Sequence, residues 1–284
     1  MKNTDNKKKL ISAETIDTVV TYTILIAVCF VFFFPVLWLI MASFSRTGSI
    51  YDFDGFFPKD FSISGYKTLF TDTAMYDYPN WLKNTLFVSI LSSIIGTVLV
   101  ILTAYVISRF QFKARRSLMK AALVLSMFPS FMGMTAVYLL MINFGMINNL
   151  FGLVLIYAGG APMGYLVQKG FFDTIPNSIY EAARIDGANN ARIFGKITLP
   201  LSKPILVYTA LTSFAWPWSD YILPSLLLKN KDKWTVAVGL MNLDETQFVR
   251  FAAGAIFIAV PIVTLYFALS KYLVTGVTAG AVKQ

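Results

Sequence analysis

Few residues in this sequence are of the types that carry out covalent chemistry. The 284-residue chain has no histidine, and its single cysteine, Cys29, sits inside an apolar run. A histidine-dependent triad or zinc site, an intrachain disulfide and a cysteine cluster for a metal are therefore excluded. Phosphate chemistry needs a glycine-rich cradle. The nearest approach is Gly195-Lys196, which has Asn190 where the first glycine of G-x-x-x-x-G-K-[ST] belongs and Ile197 where the hydroxyl belongs. No catalytic or metal-binding residue is assigned. Two polar features remain: Asp220 within an apolar run, and the stretch Asp173 to Pro204, which carries charges of both signs between two apolar segments.

That stretch reads as helix, glycine elbow, helix. Pro176 suits a first helical turn, where its missing N–H costs nothing, and Thr174 or Asp173 is expected to cap the free amides there. A short helix follows through Ala183 and Arg184. Gly187 is placed to end it in the left-handed conformation, and Asn189 or Asn190 to cap a second helix running toward Leu199. Pro200 and Pro204 punctuate the start of the next apolar run. The loop is expected to lie exposed at a membrane surface.

The spacing Glu181-Ala182-Ala183, three residues, Gly187, nine residues, Ile197, one residue, Leu199-Pro200 resembles the EAA loop of binding-protein-dependent ABC importers. The competing reading is an ordinary amphipathic connector between membrane helices. The resemblance implies a cytoplasmic coupling element seated in a cleft of an ATPase subunit, with Glu181, Ala182, Ala183, Asp186, Gly187, Ile197, Leu199 and Pro200 as its residues. Two further stretches, W-x-x-Y-I-L-P at 218–224 and GVTAGAVK at 276–283, are similar to carbohydrate-importer permeases of the MalG type, the class of the maltose and maltodextrin systems. Such subunits imply a type I importer fold, a second and homologous permease, two ATP-binding subunits, an extracellular sugar-binding protein and an alternating-access path between the permeases. ATP is then used by the partner subunit, and this chain binds no cofactor. The resemblance also implies that most sugar contacts come from the partner permease, and that the Lys229 to Arg250 connection includes a loop reaching into the binding protein.

The elements that must position this loop follow from composition. Hydrophobic residues make up 56% of the chain and charged residues 14%, and mean hydropathy is +0.64, well above a soluble domain. An all-α integral membrane protein of the cell membrane is expected. Its six transmembrane helices fall at about 19–41, 86–108, 121–142, 150–167, 205–228 and 251–272, each near the length that crosses a bilayer. Residues 1–18 and 274–284 are expected as cytoplasmic tails around a permease domain at 19–273, with the coupling loop at 173–204. The formal charge of +9 reports membrane orientation rather than nucleic acid, since no basic motif interleaved with aromatic residues occurs. With both termini inside, 16 of the 24 basic residues face the cytoplasm, including the cluster Arg109, Lys113, Arg115, Arg116 and Lys120. Lys229, Lys231 and Lys233 breach the rule locally.

Two places bear on a substrate path. Gly159, Gly160, Pro162 and Gly164 either open the fourth helix onto a passage or form a close-packing pair, Gly160 with Gly164, and the packing reading is preferred. Asp220 lies about 24 Å along a helix from Pro204. It is read as a solvated residue in an aromatic belt with Trp216, Trp218 and Tyr221 rather than as a substrate contact. Gly160, Trp218 and Asp220 are the weak candidates for the pathway. An ion-coupled secondary transporter is the alternative function and a passive channel the third; paired broken helices and buried coupling carboxylates, which a carrier would show, are missing.

Overall fold

The computed structural model describes residues 13–46, 48–49, 55–73, 76–127, 129–160 and 162–281. Lys2, Lys7, Lys8, Lys9 and most of the expected first tail lie outside them, as does Lys283. Among the described residues the chain is helical throughout, the single extended pairing being an isolated bridge between Ser45 and Phe61. In chain order come α1 (Ala13–Ser43), α2 (Ser64–Thr71), α3 (Tyr78–Arg109), α4 (Arg115–Met127), α5 (Ser130–Asn143), α6 (Leu150–Gly159), α7 (Pro162–Asp173) and α8 (Asn177–Ile185). Then follow α9 (Asn190–Ile193), a π-helical turn (Phe194–Thr198), α10 (Leu199–Leu201), α11 (Lys203–Ser219), α12 (Ile222–Leu227), α13 (Val236–Met241) and α14 (Phe248–Ala281).

The centre of the assembly is α3, which packs against α6, α7 and α11. Its first turn is fixed locally: the Asp77 carboxylate accepts from the Asn80 amide at 3.4 Å, and Pro79 occupies an early position where no amide is needed. Small polar residues then let neighbours come close. Ser89, Ser92 and Ser93 are buried, Ser93 donates to the Ala210 carbonyl at 2.8 Å, and a Cβ on Gly96 would lie 3.4 Å from Cα of Ala158. On the other side α14 packs on α1, α2 and α11. From Val19 to Leu37, α1 exposes nearly all its apolar side chains, which suits hydrocarbon and not water.

Four helical stretches are long and apolar enough to cross a membrane: Asp17–Ser43, Tyr78–Arg109, Leu150–Asp173 and Glu245–Leu273. A fifth arises if the pair Arg115–Met127 and Phe131–Asn143 counts as one span.

Several expectations are corrected here. The third span is not one straight helix, because α4 and α5 meet at 106°. Pro129, at ψ 125°, lies outside helical space and brings no N–H. Arg115, Arg116 and Lys120, expected in a turn, belong to α4. The fifth span breaks after Ser219, where Asp220 adopts an extended ψ of 112° before α12 begins. The fourth reaches Asp173 rather than Val167, with its interruption at Gly160. Gly160 is exposed, and a Cβ there would lie 2.8 Å from the Ile156 carbonyl oxygen of its own helix and within 4 Å of no other helix among the described residues, so its smallness serves the break. The tail expected from residue 274 continues α14 as far as Ala281.

The connection after α12 also holds a buried helix that its polar composition hides. Val236 to Leu240 are buried, and α13 is held by the first turns of α3. Asn80 and Asn84 donate to the Asp232 carbonyl at 2.6 and 2.9 Å, and Asn84 also reaches the Trp234 carbonyl at 2.9 Å. Trp81 Nε1 donates to the Lys231 carbonyl at 3.1 Å, and Thr85 Oγ1 accepts from the Val236 amide at 2.8 Å. Asn148, at φ 59°, accepts from the Lys229 and Asn230 amides at 3.0 and 2.9 Å and fastens the other side.

Candidate functional site

The polar loop joining α7 to α11 forms a small folded unit against the last turns of α3. Its core contains Ile101, Ala104 and Tyr105 from α3, Phe172 from α7, Ile175, and then Tyr180, Ala183 and Ile193 from the loop itself. Tyr180 and Ala183 are three residues apart, so they share the face of α8 that turns inward. Glu181, Ala182, Ile185 and Asp186 are left outside. Ala182 is exposed while Ala183 is buried, so the two alanines of the motif have opposite settings, and Ile185 on the outer side is 87% exposed. Of the two alanines that the resemblance places on the coupling surface, Ala183 faces inward instead, in the same core as Ile101 and Tyr105.

The elbow forms as its sequence predicts. Gly187 has φ +78°, in the left-handed region, and a Cβ there would meet nothing within 4 Å. The Ala188 amide donates back to the Ala183 carbonyl at 2.9 Å, and Asn189 accepts from the Arg192 amide at 2.9 Å to start α9. The start of α8 differs from expectation. No side chain caps it: Thr174 Oγ1 donates to the Phe171 carbonyl at 2.7 Å, and the Asp173 carboxylate is taken by Ser108 at 2.6 Å and by Lys169. Beyond α9 the π turn brings Ile193 and Thr198 onto one buried face, with Thr198 Oγ1 3.5 Å from the Ile193 carbonyl and 3.4 Å from the Tyr180 hydroxyl. Ile197 and Leu199 pack partly buried on the same core, while Pro200 is exposed.

One residue at the centre of this joint was legible in sequence only as a member of a basic cluster. Arg109, the last residue of α3, donates from Nη1 to Asn177 Oδ1 at 2.9 Å and from Nη2 to the Phe172 carbonyl and, at 3.3 Å, to the Ile175 carbonyl. Its guanidinium lies 4.0 Å from the centroid of the Tyr180 ring. Tyr105, one turn earlier, packs against Phe194 with centroids 4.7 Å apart and the rings tilted by 50°. The periodic placement of Tyr105 and Arg109 on α3 was the available signal, but their partners lie more than sixty residues away in sequence.

The three pathway candidates have different settings. Trp218 is fully buried and lines an apolar cleft of about 420 Å³ with Leu82, Leu86, Phe214, Phe257 and Val260. Neither Gly160 nor Asp220 borders it. Asp220 is half-buried: it accepts from the Tyr157 hydroxyl at 2.9 Å and from the Leu223 amide at 3.3 Å. It therefore ties α6 to the break between α11 and α12, and the solvated-belt reading is corrected. Gly195-Lys196 sits in the exposed π turn, a setting unlike the strand-to-helix loop of a phosphate cradle. No group of three or more metal-ligating side chains occurs among the described residues.

Residues 96–279 match the family described as binding-protein-dependent transport system inner membrane component. Over 268 residues the chain is 37% identical to the maltodextrin transport system permease protein MalD of Streptococcus pneumoniae, covering 93% of this chain and 94% of that one. It is 36% identical to the galactooligosaccharides transport system permease protein GanQ of Bacillus subtilis, again covering 93% and 94%. Among solved structures, a bacterial ABC transporter involved in the import of the acidic polysaccharide alginate has a chain of like fold, with a TM-score of 0.78 at 23% identity over 93% of this chain and 99% of that one.

Proposed function

Because the chain belongs to the binding-protein-dependent transport system inner membrane components, as a permease of the carbohydrate ABC importers, we propose that it forms half of the sugar path and takes its driving force through the α7–α11 loop. The observation that carries this is the two-sided build of α8. One face is locked to α3, while Glu181, Ala182, Ile185 and Asp186 stand free beside the Gly187 elbow. The Glu181 side chain makes no hydrogen bond or ion pair among the described residues. An exposed isoleucine flanked by charges, on a helix tied to α3 through Arg109, Asn177 and Tyr180, suits a docking surface better than a lipid-facing connector.

In this reading the partners are a second, homologous permease, two ATP-binding subunits that use ATP, an extracellular sugar-binding protein and the surrounding lipid; nucleic acid has no part. The six-span arrangement with both termini in the cytoplasm is retained, with the bent α4–α5 pair as the third span and α11–α12 as the fifth. Glu181, Ala182, Asp186, Gly187 and Pro200 then meet the ATPase, and Ala183, Ile197 and Leu199 anchor the loop from within. The substrate is an oligosaccharide of the maltodextrin or a related class. The apolar walls around Trp218 suit hydrocarbon or a partner helix better than sugar hydroxyls, which would go unpaired there. No cofactor is assigned to this chain.

The test separates this from an ion-coupled carrier. In proteoliposomes the chain alone should neither hydrolyse ATP nor take up sugar, and uptake should need the ATPase, the second permease and the binding protein together. Uptake by the chain alone under a sodium or proton gradient would replace this reading with the carrier.

A further inference from the structure

We propose that Arg109 is a positioning residue of the transport cycle, fastening the joint between α7 and α8 so that the coupling loop moves as one body with α3. The proposal rests on the coupling role just given to the loop. The joint, Thr174 to Pro176, is short and has no side-chain cap at the start of α8. Its own backbone holds it by only two turn bonds, from the Thr174 and Ile175 amides to the Phe171 and Phe172 carbonyls at 3.0 and 3.2 Å, and the first amides of α8 have no side-chain cap. The guanidinium bridges it. Nη2 takes the Phe172 carbonyl, one of the last of α7, together with the Ile175 carbonyl inside the joint. Nη1 takes the first side chain of α8, Asn177, and the cationic plane covers Tyr180 one turn further on. A cation at the C-terminal end of α7 also meets the favourable end of that helix's dipole. Ser108, the preceding residue, holds Asp173 at 2.6 Å, so the final two residues of α3 grip both sides of the joint.

The geometry demands arginine. Two terminal nitrogens serve three acceptors while the flat face stacks on a ring, an arrangement that a lysine ammonium, with one nitrogen and no plane, cannot reproduce. A charge placed only to orient the membrane would be served equally by lysine. The far end of the same helix makes the consequence larger: α3, about 48 Å long at the helical rise, grips the 231–236 segment through Asn80, Trp81, Asn84 and Thr85. A fixed joint at Arg109 therefore couples loop displacement to that opposite face through one rod.

The experiment compares wild type with Arg109→Lys, which keeps the charge and hence the insertion, and with Asn177→Ala, which removes one acceptor alone. Amide exchange is followed in the purified full chain, and uptake and ATP hydrolysis in the assembled importer. Arg109→Lys should speed exchange at Thr174, Ile175 and Ile179 by about tenfold, with Val236 and Gly239 unchanged, and Asn177→Ala should do so less. In the importer, ATP used per sugar imported should rise by about fivefold or more while the ATPase still co-purifies. Unchanged exchange in both variants would remove the clamp, and faster exchange with an unchanged ATP-to-sugar ratio would remove its role in transport. Gly187→Val and Glu181→Lys importers run in parallel keep the two ideas apart: if both transport normally, the coupling reading fails whatever the exchange at the joint.

Discussion

Gly187→Val should strip the importer of its ATPase while leaving the permease chain in the membrane. At φ +78° a valine would adopt left-handed space, which costs an L-residue about 1–2 kcal/mol and a β-branched one more. Beyond its chain neighbours, no described residue lies within 4 Å of where its Cβ would sit, so the effect is one of backbone conformation and not of crowding. The strain is relieved by rotating α9 away from α8 and breaking the Ala188 to Ala183 hydrogen bond, which changes the surface offered to a partner. Co-purified ATPase and sugar uptake should each fall by about tenfold or more, with chain abundance nearly unchanged. Asparagine tolerates this conformation, and Gly187→Asn should recover most of the loss. Glu181→Lys should mimic valine at position 187 by another route, since its carboxylate is exposed and its reversal disturbs no contact within the described residues. Wild-type ATPase recovery and uptake in both Gly187→Val and Glu181→Lys would mean that the loop is not the coupling element.

Gly239→Val should damage the opposite end more severely. A Cβ at Gly239 would lie 2.0 Å from Cε3 of Trp81, itself buried, bonded through Nε1 to the Lys231 carbonyl and set 6.0 Å from the Trp234 ring. Neither partner can yield, because α13 is buried and α3 runs on into the core. Overpacking of this kind costs roughly 3 kcal/mol, and for a chain of this size that lowers the midpoint of thermal unfolding by roughly 6–12 °C. A midpoint within about 2 °C of wild type would show that α13 is not seated on Trp81.

These two glycines mark the division between what the sequence made legible and what it did not. Gly187 stands out because its role is local: a helix end, a positive φ and an asparagine cap two residues on are written in consecutive residues. Gly239 was invisible for the opposite reason. It lies in a connection that reads as polar because of Lys229, Lys231, Lys233, Asp244 and Glu245, and these charges mask the apolar run Val236–Leu240 between them. The run was the available signal, but its partner is Trp81, about 150 residues earlier. The membrane spans were visible through hydropathy, which registers apolar content and is blind to direction, so the 106° bend at Pro129 and the break at Asp220 were smoothed into continuous helices. In the loop the motif marks a segment but not its faces. Ala182 and Ala183 are alike in type, and only the position of Tyr105 and Ile101 decides which is inside.

The most direct measurement of the central claim is solvent access at Ile185. A chain carrying Ile185→Cys, with the native Cys29 changed to serine so that one thiol remains, is labelled with a membrane-impermeant maleimide in proteoliposomes opened on both sides, with and without the ATPase subunits. Position 185 is 87% exposed in the chain alone and should label fully there. If this face of α8 is the docking surface, assembly with the ATPase should slow labelling by about tenfold or more. Equal labelling rates in the two preparations, with the ATPase shown to be bound, would contradict the account.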